Sequence, residues 1–139
     1  MNRLLTRAVF LLPVLAFALG CNEESQIADN TGLVATQAHL QYGFEGRSIA
    51  IEFNGTKCFD ARLSDSVPLS GPLAIFETRL PRGTNKLKAS WKLVSDPLAS
   101  SHQDSTSFVL GNEDKYFLGI GLVNDSLRVT ISNSGFLYI

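Results

Sequence analysis

The sequence predicts an all-β domain, a single antiparallel β-sandwich of about eight short strands. Apolar and polar residues alternate with period two in most of the segments that are rich in Val, Ile, Phe and Thr. Turn-forming Asn, Asp, Gly and Pro residues separate these segments at intervals of roughly 8 to 12 residues. No segment after residue 32 has the periodicity of an amphipathic helix. Together these features favour two packed sheets.

Three strands are predicted in the first half of the domain, over residues 33–42, 48–53 and 57–63. The first has only weak alternation. The second is clearer, because its Ile and Phe residues all fall on one face.

The turn at Asn54-Gly55 allows the register of the second and third strands to be tested. A two-residue turn alone would place Ile49 opposite Asp60 and mix core with charge. We therefore expect a bulged or three-residue hairpin with Gly55 at positive φ. In that register Cys58 faces the same side as Glu52 and Asp60. The apolar residues that it aligns across the two strands are Ile49 and Ile51 with Phe59 and Ala61.

A second hairpin is predicted from residues 72–80 and 86–94, which flank a turn over residues 81–85. This pairing would place Phe76 opposite Trp91. An aromatic cross-strand pair of this kind contributes roughly 0.5 to 1 kcal/mol beyond simple burial. Trp91 is interpreted as a core residue, with an exposed ligand-stacking platform as the alternative.

The third hairpin has the strongest pattern, with residues 115–123 and 126–132 around Asn124-Asp125. Gly119 and Gly121 fall on the opposite face of its first strand, where a missing side chain lets a ligand or a neighbouring loop approach closely. The core pairs that a two-residue turn predicts are Leu122 with Leu127, Ile120 with Val129 and Leu118 with Ile131.

Two short strands, residues 106–110 and 136–139, complete the domain. The polar stretch over residues 95–105 is predicted to be its longest loop. Two segments are apolar on both faces, residues 136–139 and residues 73–76. Each is expected to lie centrally in a sheet or to line an exposed patch that pairs with a partner protein.

The N-terminal residues have the features of a bacterial signal peptide. Residues 1–7 carry two positive charges and no acid, and they precede a 12-residue apolar run that is too short to cross a bilayer stably. The segment Ala18-Leu19-Gly20-Cys21 resembles the lipobox of bacterial lipoproteins. This resemblance implies cleavage before Cys21, a diacylglycerol thioether on its sulfur and an acyl chain such as palmitate on its new amine.

The resemblance divides the chain into a signal peptide (1–20), a lipidated Cys21 with a flexible tether (21–32) and a β-sandwich domain (33–139). In a Gram-negative host, Asn22 favours retention at the outer membrane, facing the periplasm; in a Gram-positive host that rule does not apply. The alternatives are an ordinary secreted protein that is cut near Ala18 or Gly20, and a short membrane anchor.

One corner of the domain carries a second resemblance. The stretch from Leu80 to Leu87, with Gly83 between two apolar ends, is similar to a corner of immunoglobulin-like and transthyretin-like domains. The resemblance implies a sandwich fold and identifies no functional residue.

The chain has two cysteines. A thioether on Cys21 would rule out a Cys21–Cys58 disulfide. Three states are then open for Cys58: a buried inert thiol, an intermolecular disulfide, or a reactive or metal-binding thiol.

Charge and motifs exclude several function classes. Without residues 1–20 the chain has 119 residues, of which 10 are basic and 13 acidic, and the basic residues are scattered rather than clustered as nucleic-acid binding requires. Five of them, Arg79, Arg82, Lys86, Lys88 and Lys92, are interpreted as a solvated hairpin face that could touch anionic headgroups. No motif for a cofactor, a metal or a nucleophile elbow occurs, and Ser100, His102 and Asp104 on one loop do not predict a catalytic triad.

The sequence thus predicts a non-enzymatic, membrane-anchored envelope lipoprotein that binds an envelope protein or has a structural role. The expected contact residues are Phe136, Tyr138, Ile139 and His102. The alternative is a small-ligand carrier or an inhibitor of an envelope enzyme that uses residues 95–105, and an enzyme is the third possibility.

Overall fold

The computed structural model describes residues 32–66, 68 and 70–138. Cys21, Ile139 and the predicted signal peptide lie outside the described residues. Within them the protein consists of strands and connecting loops, and no helix there is long and apolar enough to cross a membrane. The eight strands are β1 (Leu33–Leu40), β2 (Arg47–Phe53), β3 (Thr56–Arg62), β4 (Ala74–Pro81), β5 (Gly83–Leu93), β6 (His102–Leu110), β7 (Lys115–Val123) and β8 (Ser126–Ser132).

The strands form two four-stranded sheets, which confirms the predicted β-sandwich. Sheet A has the order β4-β1-β7-β8, and sheet B has the order β3-β2-β5-β6. All neighbouring strands are antiparallel except the central pair of sheet A, in which β1 and β7 run parallel. Local sequence patterns cannot predict this pairing, because about 75 residues separate the two strands.

The core lies between the inner faces of the two sheets. Alternate residues of β1, β2, β5 and β7 point into it and are almost completely buried. Burial of these side chains is the main stabilising contribution to the fold. The largest of the buried side chains are Phe44, Phe53, Leu40, Ile49, Ile51, Leu87, Leu110, Leu118 and Ile120.

The β2–β3 hairpin is bulged, as predicted. Its two-residue turn has Asn54 and Gly55 at φ 51° and 85°, and the register shifts after Ile51 so that Cys58 has no residue opposite it. Ile49 and Ile51 then face Ala61 and Phe59. The predicted orientation of Cys58 is wrong, because the bulge turns its side chain towards the core while Asp60 stays exposed.

The β7–β8 hairpin has the predicted boundaries and register. Asn124 and Asp125 both have positive φ, at 50° and 57°, which is the turn geometry that matches the twist of the flanking strands. The three predicted pairs are all present in the register, but Ile131 is 38% exposed and is therefore not the core residue that was predicted.

The predicted pairing of β4 with β5 is wrong. β4 pairs with β1 in sheet A, whereas β5 pairs with β2 and β6 in sheet B, so residues 81–83 carry the chain from one sheet to the other. Phe76 therefore stacks on Phe59, at 4.9 Å between ring centroids, instead of facing Trp91. Trp91 is nevertheless a core residue, at 3% exposure.

A buried asparagine supports this crossing. Asn85 is fully buried, and its Nδ2 donates to the carbonyl oxygens of Pro81 and Gly83 at 2.8 and 3.1 Å. Its Oδ1 accepts a hydrogen bond from Asn54 Nδ2 at 2.8 Å. Because these polar groups are satisfied, the Asn85 side chain can be buried where the chain crosses between the sheets.

The crossing also divides the predicted basic hairpin face. Arg79 lies on β4 in sheet A, and Arg82 donates to the carbonyl oxygens of Gly111 and Glu113. The three lysines of the predicted face lie on β5 in sheet B. The five residues thus do not form one surface.

Two segments differ from their predicted secondary structure. Residues 102–105, predicted as loop, form the first half of β6, because this strand lies at the edge of sheet B and tolerates polar residues. Residues 136–138, predicted as strand, pair with no strand of the described sheets. They pack over the outer face of sheet A instead.

Candidate functional site

The candidate site lies on the outer face of sheet A and is centred on His39. Val34, Ala38 and Leu40 of β1 point into the core, so the alternating residue His39 points out of the sandwich. His39 is nevertheless only 6% exposed, because the C-terminal segment (residues 135–138) covers it. Burial on both faces of β1 also explains why the alternation of its sequence is weak.

The aromatic cluster of this site consists of His39, Phe117, Phe136 and Tyr138. The Tyr138 ring lies parallel to the imidazole at 5.8 Å between centroids, and Phe136 meets it edge-on at 5.4 Å. Phe117 of β7 forms a third, edge-on contact at 6.2 Å. Such contacts add roughly 0.5 to 1.5 kcal/mol each beyond simple burial. The cluster therefore attaches the C-terminal segment to sheet A.

A continuous chain of hydrogen bonds fixes the histidine. Tyr138 Oη lies 2.8 Å from His39 Nδ1, and Gln37 Oε1 lies 2.9 Å from His39 Nε2. An amide oxygen can only accept, so Nε2 carries the proton and Nδ1 accepts from the tyrosine hydroxyl. Gln37 then donates to Glu77 Oε1 at 3.3 Å, and Gln41 donates to Tyr138 Oη at 3.3 Å. Every group has a partner when the imidazole is neutral.

Burial, like this network, favours the neutral form of His39. Removal of His39 from water penalises the charged imidazolium and lowers the pKa of His39 below its ordinary value of 6.5. Protonation would also place a second N–H against the Tyr138 hydroxyl, which now donates to that nitrogen. The site is built for a neutral histidine.

The loop that follows β1 explains why positions 119 and 121 of β7 are glycines. A Cβ atom at Gly119 would lie 2.7 Å from the Gln41 amide, and one at Gly121 would lie 2.8 Å from the Tyr42 ring. Of the two predicted alternatives, packing of a neighbouring loop is therefore the one observed. The close approach places Gln41 within reach of Tyr138 and lays Tyr42 across the same face.

The apolar side chains that remain exposed to solvent on this face include those of Leu137, Ile75 and Tyr42. Leu137 is 85% exposed between the two anchored aromatic residues of the C-terminal segment. Ile75, the register partner of His39 on the edge strand β4, is 51% exposed, and Tyr42 is 47% exposed. Residues 73–76 thus do not lie centrally in a sheet. The outer face of sheet A presents an aromatic and aliphatic surface with polar groups beneath it.

The structure brings together only some of the residues that were predicted to contact a partner. Phe136 and Tyr138 lie at the aromatic cluster, and Ile139 is outside the described residues. His102 lies on sheet B, where its ring stacks on Trp91 at 6.1 Å. His39 and Gln37 were not predicted as members of the site, and the weak alternation of β1 was the one signal that could have indicated them.

Two of the three residues considered for a catalytic triad, His102 and Asp104, lie in β6 and have structural contacts there. Asp104 accepts a hydrogen bond from the Leu127 amide at 2.9 Å and so connects the edges of sheets A and B. His102 is two residues away in the same strand and packs on Trp91. Within the described ranges, no group of three or more His, Cys, Asp or Glu side chains is placed to hold a metal ion.

Cys58 is disulfide-bonded, which contradicts two of the three states predicted for it, the buried inert thiol and the reactive or metal-binding thiol. Its Sγ lies 3.8 Å from Thr78 Oγ1 of β4, at the side of the sandwich where β3 and β4 meet. The sequence contains one other cysteine, Cys21. Because one sulfur atom carries either a thioether or a disulfide, acylation of Cys21 and a Cys21–Cys58 bond exclude each other.

Comparisons of the chain with protein-family models, with curated proteins and with solved structures find no match. The function proposed for the chain therefore rests on its own residues.

Proposed function

We propose that the chain is a non-enzymatic lipoprotein of the bacterial cell envelope, anchored through Cys21, with a β-sandwich that binds an envelope protein. The N-terminal sequence supports the anchoring, because it contains a basic start, a 12-residue apolar run and Ala18-Leu19-Gly20-Cys21 in that order. If the host is Gram-negative, Asn22 favours retention at the outer membrane.

The outer face of sheet A supports the binding role. Exposed Leu137 and Ile75 are held by ordered neighbours, so a partner could bury them at little further cost in conformational entropy. Both lie beside the aromatic cluster, whose side chains are already fixed. Rigid apolar groups of this kind are common at the centres of protein interfaces.

Acylation has a consequence for the second cysteine. The acylated protein cannot contain a Cys21–Cys58 bond, so acylation of Cys21 and a disulfide between the two cysteines are distinct, detectable states of the protein. The anchoring proposal is therefore open to a direct chemical test as well as a genetic one.

The Cys21→Ser variant tests the anchor. We expect wild-type protein to stay in the membrane fraction of its native host after a high-salt wash, which releases proteins held only by charge, and this variant to be released into the soluble fraction. Cys58→Ser is the control, because it removes the other cysteine and leaves the lipobox intact. If Cys21→Ser stays with the membrane as wild type does, the lipoprotein proposal is wrong.

A photo-crosslinking residue at position 137 tests the binding face. We expect it to form one dominant crosslinked product in the envelope, whereas the same residue at Val109, 62% exposed on sheet B, should not form that product. Leu137→Asp should abolish co-purification of the crosslinked partner without loss of folding. A product that forms equally from both positions would refute binding through sheet A.

A further inference from the structure

The outer face of sheet B has a different chemistry from that of sheet A. Ala89 and Trp91 of β5 point into the core, so the residues between them and beside them point outwards. Beside β5, the same face holds Ser48, Ala50 and Glu52 of β2 and Gln103, Ser105, Ser107 and Val109 of β6. We call this surface the lysine face, and its basic residues are Lys57, Arg62, Lys86, Lys88 and Lys92.

The lysine face carries a positive excess that its own acids do not cancel. It holds five basic residues and two acids, Glu52 and Asp60. Both acids are engaged: Lys88 Nζ lies 3.2 Å from Glu52, and Lys57 Nζ lies 2.8 Å from Asp60. Half of the ten basic residues that follow the predicted signal peptide thus lie on one face, although the segment from Cys21 onwards has an acidic excess overall.

One end of this face presents an apolar side chain. Lys92 Nζ donates to the carbonyl oxygen of Pro97 at 3.1 Å, which holds the β5–β6 loop beside the lysine row. Within the loop, Asp96 accepts from the Leu98 amide at 3.0 Å through its side chain and from the Ala99 amide at 3.1 Å through its backbone carbonyl. The resulting turn holds Leu98 outwards, 94% exposed.

We propose that the lysine face, with Leu98 at its end, docks on an anionic lipid bilayer. Lysine ammonium groups would lie at the phosphate level, and Leu98 would enter the boundary between headgroups and acyl chains. This inference rests on the proposed anchoring at Cys21, which would keep the domain beside such a surface. It leaves the aromatic cluster on sheet A facing away from the membrane.

The length of the tether is compatible with this orientation. The residues between Cys21 and β1 number 11, and a chain of that length can span at most about 36 to 40 Å. The two sheets of a sandwich lie only about 10 Å apart. A chain that enters at β1 in sheet A can therefore leave sheet B in contact with the bilayer.

Vesicle binding by the mature chain from Cys21 onwards, made without its signal peptide and therefore without lipid, tests the proposal. This chain contains both sheets and the whole described core. We expect it to sediment with vesicles of roughly one-third phosphatidylglycerol in phosphatidylcholine but not with pure phosphatidylcholine, and to be released by salt.

A matched pair of triple variants distinguishes the effect of the lysine face on binding from the effect of net charge. Each lysine near an anionic leaflet contributes roughly fivefold to binding, so Lys86→Gln, Lys88→Gln and Lys92→Gln together should weaken it about 100-fold. The control changes Arg79, Lys115 and Arg128 to Gln on the outer face of sheet A, with the same loss of charge. It should weaken binding less than fivefold, because these groups lie more than a Debye length of about 8 Å from the bilayer.

Leu98→Ser should weaken binding about 10-fold, and Leu137→Ser, on the opposite face, should have no effect. Equal losses from the two triple variants, or equal binding to both kinds of vesicle, would overturn the proposal. So would binding to a soluble polyanion such as heparin without binding to vesicles. These outcomes are independent of the anchor, since the tested chain has no lipid and anchoring is judged from Cys21→Ser in the cell.

Discussion

Tyr138→Phe tests whether the C-terminal segment is part of the folded domain. The substitution keeps the ring that stacks on the imidazole and removes only the hydroxyl, which lies 2.8 Å from His39 Nδ1. His39 is 6% exposed, so the nitrogen would lose its donor with little access to water. A buried polar group that loses its partner costs about 1 to 3 kcal/mol.

The Gln41–Tyr138 bond is lost as well, but at 3.3 Å it is the weaker of the two. We therefore expect the free energy of unfolding to fall by about 1.5 kcal/mol, measured by urea denaturation at pH 8, where His39 is neutral. Leu137→Ser, one residue away and 85% exposed, should change stability by less than about 0.5 kcal/mol. Equal stability of Tyr138→Phe and wild type would refute the account of this contact.

Three further predictions concern the same fold. Because the pKa of His39 is lowered from 6.5, the unfolded state takes up a proton before the folded state does as pH falls. The free energy of unfolding should therefore decline below pH 6.5 by up to about 1.4 kcal/mol per pH unit. A His39→Gln variant should lack this part of the decline in urea denaturation. Gly43 and Gly55 have nearly equal φ, at 87° and 85°, but an added Cβ at Gly43 would lie 2.7 Å from the Leu122 carbonyl oxygen, whereas Gly55 has open space. Gly55→Ala should cost about 1 kcal/mol and Gly43→Ala at least about 3 kcal/mol, and similar values in thermal unfolding would contradict the close approach. Asn85→Ala should cost about 3 kcal/mol, because it removes the three hydrogen bonds that this fully buried side chain makes with Pro81, Gly83 and Asn54, and a much smaller loss would mean that other groups support the crossing.

Local sequence patterns predict the parts of this fold that are held by local contacts. The β7–β8 hairpin follows from its two-residue turn, since only one register brings Leu122 opposite Leu127. The bulge before Cys58 was also predictable, because an unbulged hairpin would have placed Ile49 against a charge.

The β4–β5 crossing could not be predicted in the same way. Two adjacent strands with alternating patterns look alike whether they pair in one sheet or face each other across the core. The turn itself contained the distinguishing feature, a buried Asn85 beside Gly83 at φ 89°, but a polar residue in a turn ordinarily indicates solvent.

The candidate site was predictable only in part, for a related reason. Phe136 and Tyr138 were expected to contact a partner because they are apolar and close to the end of the chain. They contact His39 instead, 97 to 99 residues away in the sequence, and no local periodicity connects these positions. The parallel pairing of β1 with β7 is invisible to local patterns for the same reason.

The chemical state of Cys21 tests the central proposal most directly. Mass spectrometry of the protein from its native envelope, digested without reduction, should show an N-terminal peptide that begins at Cys21 and carries a diacylglycerol thioether and an acylated amine. A peptide in which Cys21 is joined to Cys58 by a disulfide would contradict the lipoprotein account, because the same sulfur cannot carry both.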